Sequence, residues 1–245
     1  WVGMFQHLKK QFEDEMRQMQ DAGTWKDEGV LEGTQGTEIT VVGKTVLNFC
    51  ANNYLGLASD PRLADAAAEG MRRYGFGMAS VRFICGTSVI HKDLERAVSA
   101  FFGTEDTLLY TSCFDANTGL FETILQEGDA LFSDELNHAS IIDGVRLCKA
   151  ERFRFAHSNM GELEKQLQGA AKFSRRLVVT DGVFSMDGEI AKLDEIKALC
   201  DKYDAIFVVD DSHGTGVLGK TGRGSVEEKG VLGKVDIITS TFGKA

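Results

Sequence analysis

The chain has 245 residues, of which 43% are hydrophobic and 26% are charged, and this composition excludes a disordered protein. Its formal net charge of -10 argues against nucleic acid and against an anionic membrane as partners, because both bind basic faces. No run of about eighteen apolar residues is present to cross a bilayer. The five cysteines are widely spaced, which favours reduced thiols over disulfides or a metal site and predicts a cytoplasmic protein.

Residues 1–50 are predicted to form an N-terminal helix and a hairpin. Apolar side chains between residues 5 and 19 recur at three- and four-residue steps, which is typical of an amphipathic helix, and Gly23 is expected to end it. Residues 39–49 alternate apolar and polar types around a glycine and a lysine, the pattern of a short hairpin separate from the main sheet. Residues 51–245 are expected to form one large domain.

Two helices are predicted at the start of the large domain. Asp60 followed by Pro61 is typical of a helix N-cap with proline at the first helical position, and it predicts a helix through Arg73. A second helix is predicted for residues 91–102, and Gly103 is expected to end it.

From residue 107 onward, short apolar segments alternate with helical stretches. The predicted strands are residues 107–111, 130–132, 152–155, 177–180, 206–210 and 236–241. The predicted helices between them are residues 120–125, 159–167, which a capping box opens, and 193–203. This alternation predicts an α/β fold with a mostly parallel sheet sandwiched by helices, and with ligands at the carboxyl ends of the strands.

Three ionisable residues lie at the ends of the last two predicted strands. Asp210 ends strand 206–210, where a carboxylate would keep a nearby pyridine nitrogen protonated. His213 follows three residues later, and Lys244 comes after the next strand. Each also has an ordinary interpretation, as a turn cap, a loop histidine and a solvated surface lysine. Together they favour a site for pyridoxal 5'-phosphate, because a lysine amine binds its aldehyde.

Small polar residues follow three other predicted strands. Ser112, Cys113 and Phe114 precede a helix whose free backbone N–H groups favour a phosphate, although many helix N-caps share this pattern. His138 is placed either to lie over a flat ring or to begin a helix. Ser185 lies on a glycine-bracketed loop, where a turn serine is the ordinary interpretation. Together with the carboxylate of Asp210 and the amine of Lys244, these segments supply a phosphate-binding turn, a ring that can stack and a hydroxyl, which are the groups that a cofactor site needs.

Several motifs resemble those of one family. They are residues 48–57, 76–87 and 136–149, together with Lys244, and the resemblance covers essentially the whole chain. The chain is similar to the α-oxoamine synthases, which are fold-type-I enzymes that depend on pyridoxal 5'-phosphate, and most to the branch that joins glycine and acetyl-CoA. The resemblance implies an aspartate aminotransferase-like fold, in which residues 51–245 form the cofactor-binding large domain.

The resemblance also implies roles for ten residues. It makes four of them catalytic, namely Lys244 as the Schiff-base lysine, Asp210 as the partner of the pyridine nitrogen, His138 as the stacking ring and His213. The other implied contacts are Ser112, Cys113, Phe114 and Thr241 to the phosphate, Ser185 with His213 to the phenolic side of the ring, and Asn52 to the substrate amino acid.

The implied reaction condenses glycine with acetyl-CoA to 2-amino-3-oxobutyrate and CoA, or runs in reverse in threonine breakdown, in a homodimer with sites at the subunit interface. A second interpretation, 8-amino-7-oxononanoate synthase, keeps every cofactor residue and changes the acyl donor and the amino acid. A third is a non-catalytic partner subunit of the same fold, against which the retention of Lys244, Asp210 and His213 argues. A nucleotide-binding domain ranks last, because no glycine-rich phosphate-binding motif follows a strand.

The family pattern continues beyond the last residue of this sequence. Family members extend past the lysine into a C-terminal small domain, which carries the arginine for the substrate carboxylate, and the segment just after the lysine contacts the phosphate in the neighbouring subunit. The 245 residues include neither, and the first residue is not methionine, so the sequence is expected to be a fragment. On its own the chain is expected to have weak or absent turnover.

Overall fold

The computed structural model describes the backbone of residues 2–245 and the side chains of residues 5–245. The helices are α1 (Val2–Asp21), α2 (Pro61–Tyr74), α3 (Val89–Phe102), α4 (Cys113–Ile124), α5 (Ala139–Leu147), α6 (Met160–Gln168), α7 (Leu193–Tyr203) and α8 (Ser225–Glu228). The strands are β1 (Leu31–Glu32), β2 (Glu38–Val41), β3 (Lys44–Leu47), β4 (Ala130–Asp134), β5 (Glu151–Phe155), β6 (Arg176–Asp181), β7 (Val183–Phe184), β8 (Glu189–Ile190), β9 (Ile206–Asp210) and β10 (Ile237–Thr239). Within the described part of the chain, no helix is long and apolar enough to cross a membrane.

The described residues form two compact units, of which the first ends at residue 50 and contains α1 and a small antiparallel sheet. The apolar stripe of α1 is uncovered, since Phe5 and Phe12 are 67% and 59% exposed. β2 and β3 form the predicted hairpin, whose turn residues Val42 and Gly43 have positive φ values of 49° and 70°. Two successive positive φ values match the twist of a tight hairpin. β1, which pairs with β2, was not predicted.

The central sheet of the second unit has five parallel strands in the order β10-β9-β6-β4-β5. Its middle strands are buried on both faces, which explains why their sequences are continuous apolar runs rather than alternating ones. β4, β6 and β9 end at Asp134, Asp181 and Asp210, and the register pairs Asp181 with Asp210. Three carboxylates therefore lie along one edge of the sheet.

Helices cover both faces of this sheet. One core cluster packs α6 and α7 on the sheet and includes Leu163, Leu193, Val178 and Phe207. The other packs α4 and α5 on the opposite face and includes Phe121, Ile141, Leu177 and Val179. Because neighbouring residues of β6 enter different clusters, the two clusters lie on opposite sides of the sheet. The predicted α/β sandwich with a parallel sheet is confirmed.

The prediction of a strand over residues 107–111 is wrong. Among the described residues this segment joins no sheet, and its Leu108 and Tyr110 side chains are 69% and 51% exposed. The segment has a suitable local pattern, but a strand also needs a neighbour that exchanges backbone hydrogen bonds with it. The sequence analysis also missed the β7–β8 hairpin, which lies in the connection after β6.

Helix starts follow the predicted caps with two differences. Asp60 caps α2 as predicted. Asn159 caps α6 by accepting a 3.1 Å hydrogen bond from the Glu162 backbone N–H, but the Glu162 carboxylate accepts from the Ala156 N–H instead of completing the capping box. α4 begins at Cys113, seven residues before the start of the helix predicted at 120–125. The earlier start brings the first turn of α4 to the carboxyl edge of the sheet.

Candidate active site

A cavity of about 180 Å³ opens at the carboxyl edge of the central sheet. Its lining consists of Cys113, Phe114, His138, Ser140, Asp181, Val183, Ser185, Asp210, Ser212, His213, Thr241 and Lys244. Eight of the ten residues selected from the sequence are in this lining, and the exceptions are Ser112 and Asn52. The structure thus brings together residues from separate strand ends, as expected for a parallel sheet. The individual roles of these residues stay predictions.

Asp210 is the last residue of β9 and is only 5% exposed. Its Oδ1 accepts a hydrogen bond of 2.9 Å from the Ser212 backbone N–H, and its Oδ2 accepts one of 2.6 Å from Asn117 Nδ2. Burial and the charge of Asp210 raise the pKa of the Cys113 thiol to about 11, so this thiol keeps its proton and donates to Oδ2 at 3.5 Å. Such donors stabilise a charged carboxylate and fix its orientation.

Lys244 follows β10 and lines the same cavity as Asp210 and His213. Burial, followed by the positive charge of Lys244, lowers the pKa of His213, so the imidazole is neutral near pH 7. His213 Nδ1 lies 2.8 Å from Tyr54 Oη, and the Tyr54 hydroxyl lies 3.2 Å from Asn52 Oδ1. Two hydrogen bonds therefore connect Asn52, which is outside the lining, to a residue of the cavity.

His138 is both the N-cap of α5 and part of the cavity wall. Its Nδ1 accepts a hydrogen bond of 3.2 Å from the Ser140 backbone N–H and lies 2.7 Å from Ser140 Oγ. Because a backbone N–H can only donate, Nδ1 carries no proton, and the neutral imidazole has its proton on Nε2. The His138 ring also meets Phe114 edge-on, with 6.4 Å between ring centroids. The structure therefore confirms His138 as a helix start and places it in the cavity wall, while its stacking on a flat ring stays a prediction.

The first turn of α4 contributes Cys113 and Phe114 to the cavity, and Ser112 is its N-cap. Ser112 Oγ accepts from the Asp115 backbone N–H and donates to the Asp115 carboxylate, both at 3.0 Å. Its hydroxyl is thus used inside the turn, which explains why Ser112 is not in the lining. The anion-binding groups left beside the cavity are the backbone N–H groups of Cys113 and Phe114 and the hydroxyl of Thr241.

Ser185 lies in the turn between β7 and β8, and ionisable residues anchor this hairpin to the sheet. His157 Nδ1 is 3.0 Å from Asp134 at the end of β4, and its Nε2 is 3.2 Å from Glu189 of β8. Burial lowers the pKa of His157, but the two carboxylates raise it by more, so that the net shift is upward. Phe184 also packs edge-on against the His157 ring at 4.4 Å. These contacts determine where Ser185 lies.

Four buried polar residues at or beside the cavity were not predicted from the sequence. They are Asn117, Ser140, Asp181 and Ser212. Asp181 could have been found, because it directly follows the predicted strand 177–180, as Asp210 ends its own strand. Its carboxylate accepts a hydrogen bond of 2.7 Å from the His138 backbone N–H, and burial, followed by the charge of Asp210, raises its pKa to about 8. Asn117 lies inside a helix and has no such signal.

Asp181→Asn should stabilise the ligand-free chain at alkaline pH. The pKa of Asp181 is raised in the folded state from 3.8 to about 8, so the stability that its neutral form contributes is lost as the pH rises through about 8. The variant does not lose this stability as the pH rises. We expect its free energy of unfolding to exceed that of the parent chain by at least about 1 kcal/mol at pH 9, and the difference to narrow toward pH 5. Urea unfolding at both pH values measures the difference, and a variant equally or less stable at pH 9 would contradict this assignment of charge.

Known proteins resemble this chain over nearly its whole length. The family model described as aminotransferase class I and II matches residues 44–245. The 2-amino-3-ketobutyrate coenzyme A ligase of Salmonella typhimurium is 56% identical over 239 residues, which are 96% of this chain and 60% of that protein. The 8-amino-7-oxononanoate synthase 1 of Bacillus subtilis is 47% identical over 241 residues, which are 97% of this chain and 62% of that protein.

Solved structures show the same fold. A serine palmitoyltransferase from S. paucimobilis with a bound PLP-myriocin aldimine superposes with a TM-score of 0.89 at 33% identity, over 95% of this chain and 61% of that chain. The chain spans about 60% of the length of the curated relatives that it matches. These similarities confirm the resemblance to the α-oxoamine synthases. Since the family model matches most of the sequence, the chain belongs to the aminotransferase class I and II family.

Proposed function

We propose that this chain is the cofactor-binding part of a glycine C-acetyltransferase that depends on pyridoxal 5'-phosphate. The main support for the proposal is that one cavity brings together the amine of Lys244, the buried carboxylate of Asp210 and the neutral imidazole of His213. The similarity to 2-amino-3-ketobutyrate coenzyme A ligases supports the reaction, and the similarity to a PLP-containing serine palmitoyltransferase supports the cofactor.

The charges around the cavity fit a cationic heterocycle that carries a phosphate. Asp181 and Asp210 pair across adjacent strands, and their repulsion contributes to the raised pKa of Asp181. A protonated pyridine nitrogen beside Asp210 would offset this concentration of negative charge. At the first turn of α4, the backbone N–H groups and the nearby Thr241 hydroxyl suit a phosphate. The residues present therefore fit pyridoxal 5'-phosphate.

Five cavity residues have tasks in the proposed reaction. The bound cofactor supplies an electron sink for the carbanion that forms when an amino acid loses its α-proton. Asp210 holds the positive charge on the ring nitrogen, on which the sink depends. Lys244 would hold the cofactor through its aldehyde, and its amine would move the α-proton of the amino acid. His138 would stack on the ring, and His213 and Ser185 would hold its phenolic side.

We propose glycine and acetyl-CoA as substrates, and 2-amino-3-oxobutyrate and CoA as products, with the reverse direction serving threonine breakdown. The 56% identity to a 2-amino-3-ketobutyrate coenzyme A ligase supports this choice over 8-amino-7-oxononanoate synthase, at 47%. Asn52 is the proposed contact for the amino acid, because its link through Tyr54 to His213 brings it close to the cavity.

We also propose a homodimer in the cytoplasm. Phe76 and Phe83 of the large domain are 92% and 88% exposed, and apolar side chains so exposed suit an interface with a second copy. The uncovered apolar stripe of α1 is a further candidate for such contacts. All five cysteines are free thiols, which suits a reducing compartment.

Two assays on the purified chain loaded with pyridoxal 5'-phosphate test the substrate proposal. In D₂O, NMR should show exchange of a glycine α-proton at least about tenfold faster than that of alanine, since one methyl group is worth roughly this factor in a fitted site. Glycine with acetyl-CoA should also release more CoA thiol than alanine with pimeloyl-CoA. The opposite preference would favour 8-amino-7-oxononanoate synthase, and a chain that neither binds the cofactor nor exchanges protons would refute the proposed function.

A further inference from the structure

Asn117 lies inside α4, is 1% exposed, and contacts three other buried polar side chains. Its Nδ2 donates to Asp210 Oδ2 at 2.6 Å and to Ser140 Oγ at 3.0 Å. Its Oδ1 accepts a hydrogen bond of 2.9 Å from Thr239 Oγ1. Both amide hydrogens and the amide oxygen therefore have partners, which come from three other segments of the fold.

These partners determine which way the Asn117 amide points. After half a turn of the amide, its oxygen would face the Asp210 carboxylate and no proton would lie between them. Its NH₂ group would then face the hydroxyl of Thr239, which would lose its present acceptor. Unmade hydrogen bonds cost most in a buried site, so this orientation is strongly disfavoured. Thr239 thus holds the amide in the orientation that presents an N–H to Asp210.

The same contacts determine how Asp210 presents its charge. The Ser212 N–H binds Oδ1, whereas Asn117 and the Cys113 thiol both bind Oδ2. Since each carboxylate oxygen has two acceptor positions, Oδ1 keeps one position for a cation. Sheet register maintains the arrangement, because Thr239 of β10 pairs with Asp210 of β9. A short N–H bond to a buried carboxylate also favours its charged form.

We propose that Asn117, oriented by Thr239, is a positioning residue that directs the Asp210 carboxylate at the pyridine nitrogen of the cofactor, an inference that rests on the proposed function. Asn117 is not in the cavity lining, so it would act through Asp210 and not on the cofactor itself. Its contribution therefore depends on the ring nitrogen. A residue needed only for packing would instead affect every ligand of the cavity to the same extent.

The test compares two ligands, pyridoxal 5'-phosphate and its 1-deaza analogue, in which CH replaces the ring nitrogen. Asn117→Leu should raise the Kd for pyridoxal 5'-phosphate about tenfold, because a hydrogen bond to a charged group is lost. Thr239→Val, which is nearly isosteric, should raise the same Kd by a smaller factor. Neither variant should change the Kd for the deaza analogue.

Thr180→Val is the matched control. Thr180, like Thr239, is buried and lies in a strand of the central sheet, but its hydroxyl donates to the Asp181 carbonyl and not to Asn117. This variant should leave both Kd values unchanged. If Asn117→Leu does not fold, the isosteric Thr239→Val decides the question.

The outcomes separate this inference from the proposed function. Equal weakening of both ligands by Asn117→Leu and Thr239→Val would show a packing role and overturn the inference. An unchanged Kd for pyridoxal 5'-phosphate in Thr239→Val would overturn it too. If the unsubstituted chain binds neither ligand, or binds both equally well, the assignment of Asp210 and the proposed function fail first, and the inference fails with them.

Discussion

Lys244→Ala should abolish the visible absorbance of the purified protein and leave its fold intact. Lys244 lies beyond the end of β10, after the last ladder pair between Thr239 and Asp210, so its side chain supports no strand of the sheet. Loss of its amine removes the group that we propose binds the cofactor aldehyde and moves the α-proton. Because general acid–base catalysis alone contributes about 10²- to 10⁴-fold, glycine α-proton exchange should fall by at least that factor.

Lys234→Ala provides the control for this experiment. Lys234 lies before the other end of the same strand, where its amine donates to the Gly230 carbonyl at 3.0 Å on the surface. This variant should keep the absorbance and should be trapped by borohydride as the parent chain is. Circular dichroism should be the same for all three proteins. A yellow, borohydride-reducible Lys244→Ala variant would remove the basis of the assignment.

The sheet could be predicted because its strands carry a strong local signal. The segments at 177–180 and 206–210 are continuous apolar runs bounded by polar turns, and in an alternating α/β sequence such runs become parallel strands. Their carboxyl ends necessarily share one edge, so Asp210, His213 and Lys244 could be grouped without coordinates. Residues 107–111 have a similar local pattern, but the described structure offers them no strand neighbour.

The hydrogen bonds that organise the site could not be predicted in the same way. Asn117 reaches Asp210 and Thr239, which lie 93 and 122 residues away in sequence, and an asparagine inside an amphipathic helix gives no sign of such partners. Asp181 carries a visible signal, since it directly follows a predicted strand, but its raised pKa comes from burial and from Asp210 on the neighbouring strand. Sequence position indicates which residues share an edge, whereas charge and orientation depend on packing.

Asp210→Asn should weaken binding of pyridoxal 5'-phosphate and slow glycine α-proton exchange by about 10²- to 10³-fold, the effect of losing one preorganised electrostatic partner. The substitution preserves the shape of the side chain but removes the buried carboxylate that we propose holds the ring nitrogen protonated. Its NH₂ would also face a donor in either orientation, the Ser212 N–H on one side or Asn117 Nδ2 and the Cys113 thiol on the other. At least one hydrogen bond is therefore lost as well, at a cost of about 1–3 kcal/mol in stability.

Asp210→Asn should also change the titration of Asp181, which separates an electrostatic effect from simple damage to the fold. The charge of Asp210 is the second-largest cause, after burial, of the pKa of about 8 at Asp181, so removal of that charge should lower this pKa. Less stability is then lost as the pH rises from 3.8 to about 8, and the free energy of unfolding should fall less steeply over this range than in the parent chain. Asp210→Glu, which keeps the charge on a longer side chain, should retain the steep dependence. Urea unfolding across this range measures how steeply the free energy of unfolding depends on pH in each variant. If Asp210→Asn kept both the pH dependence and the cofactor affinity of the parent chain, Asp210 would not be the buried anion of this site.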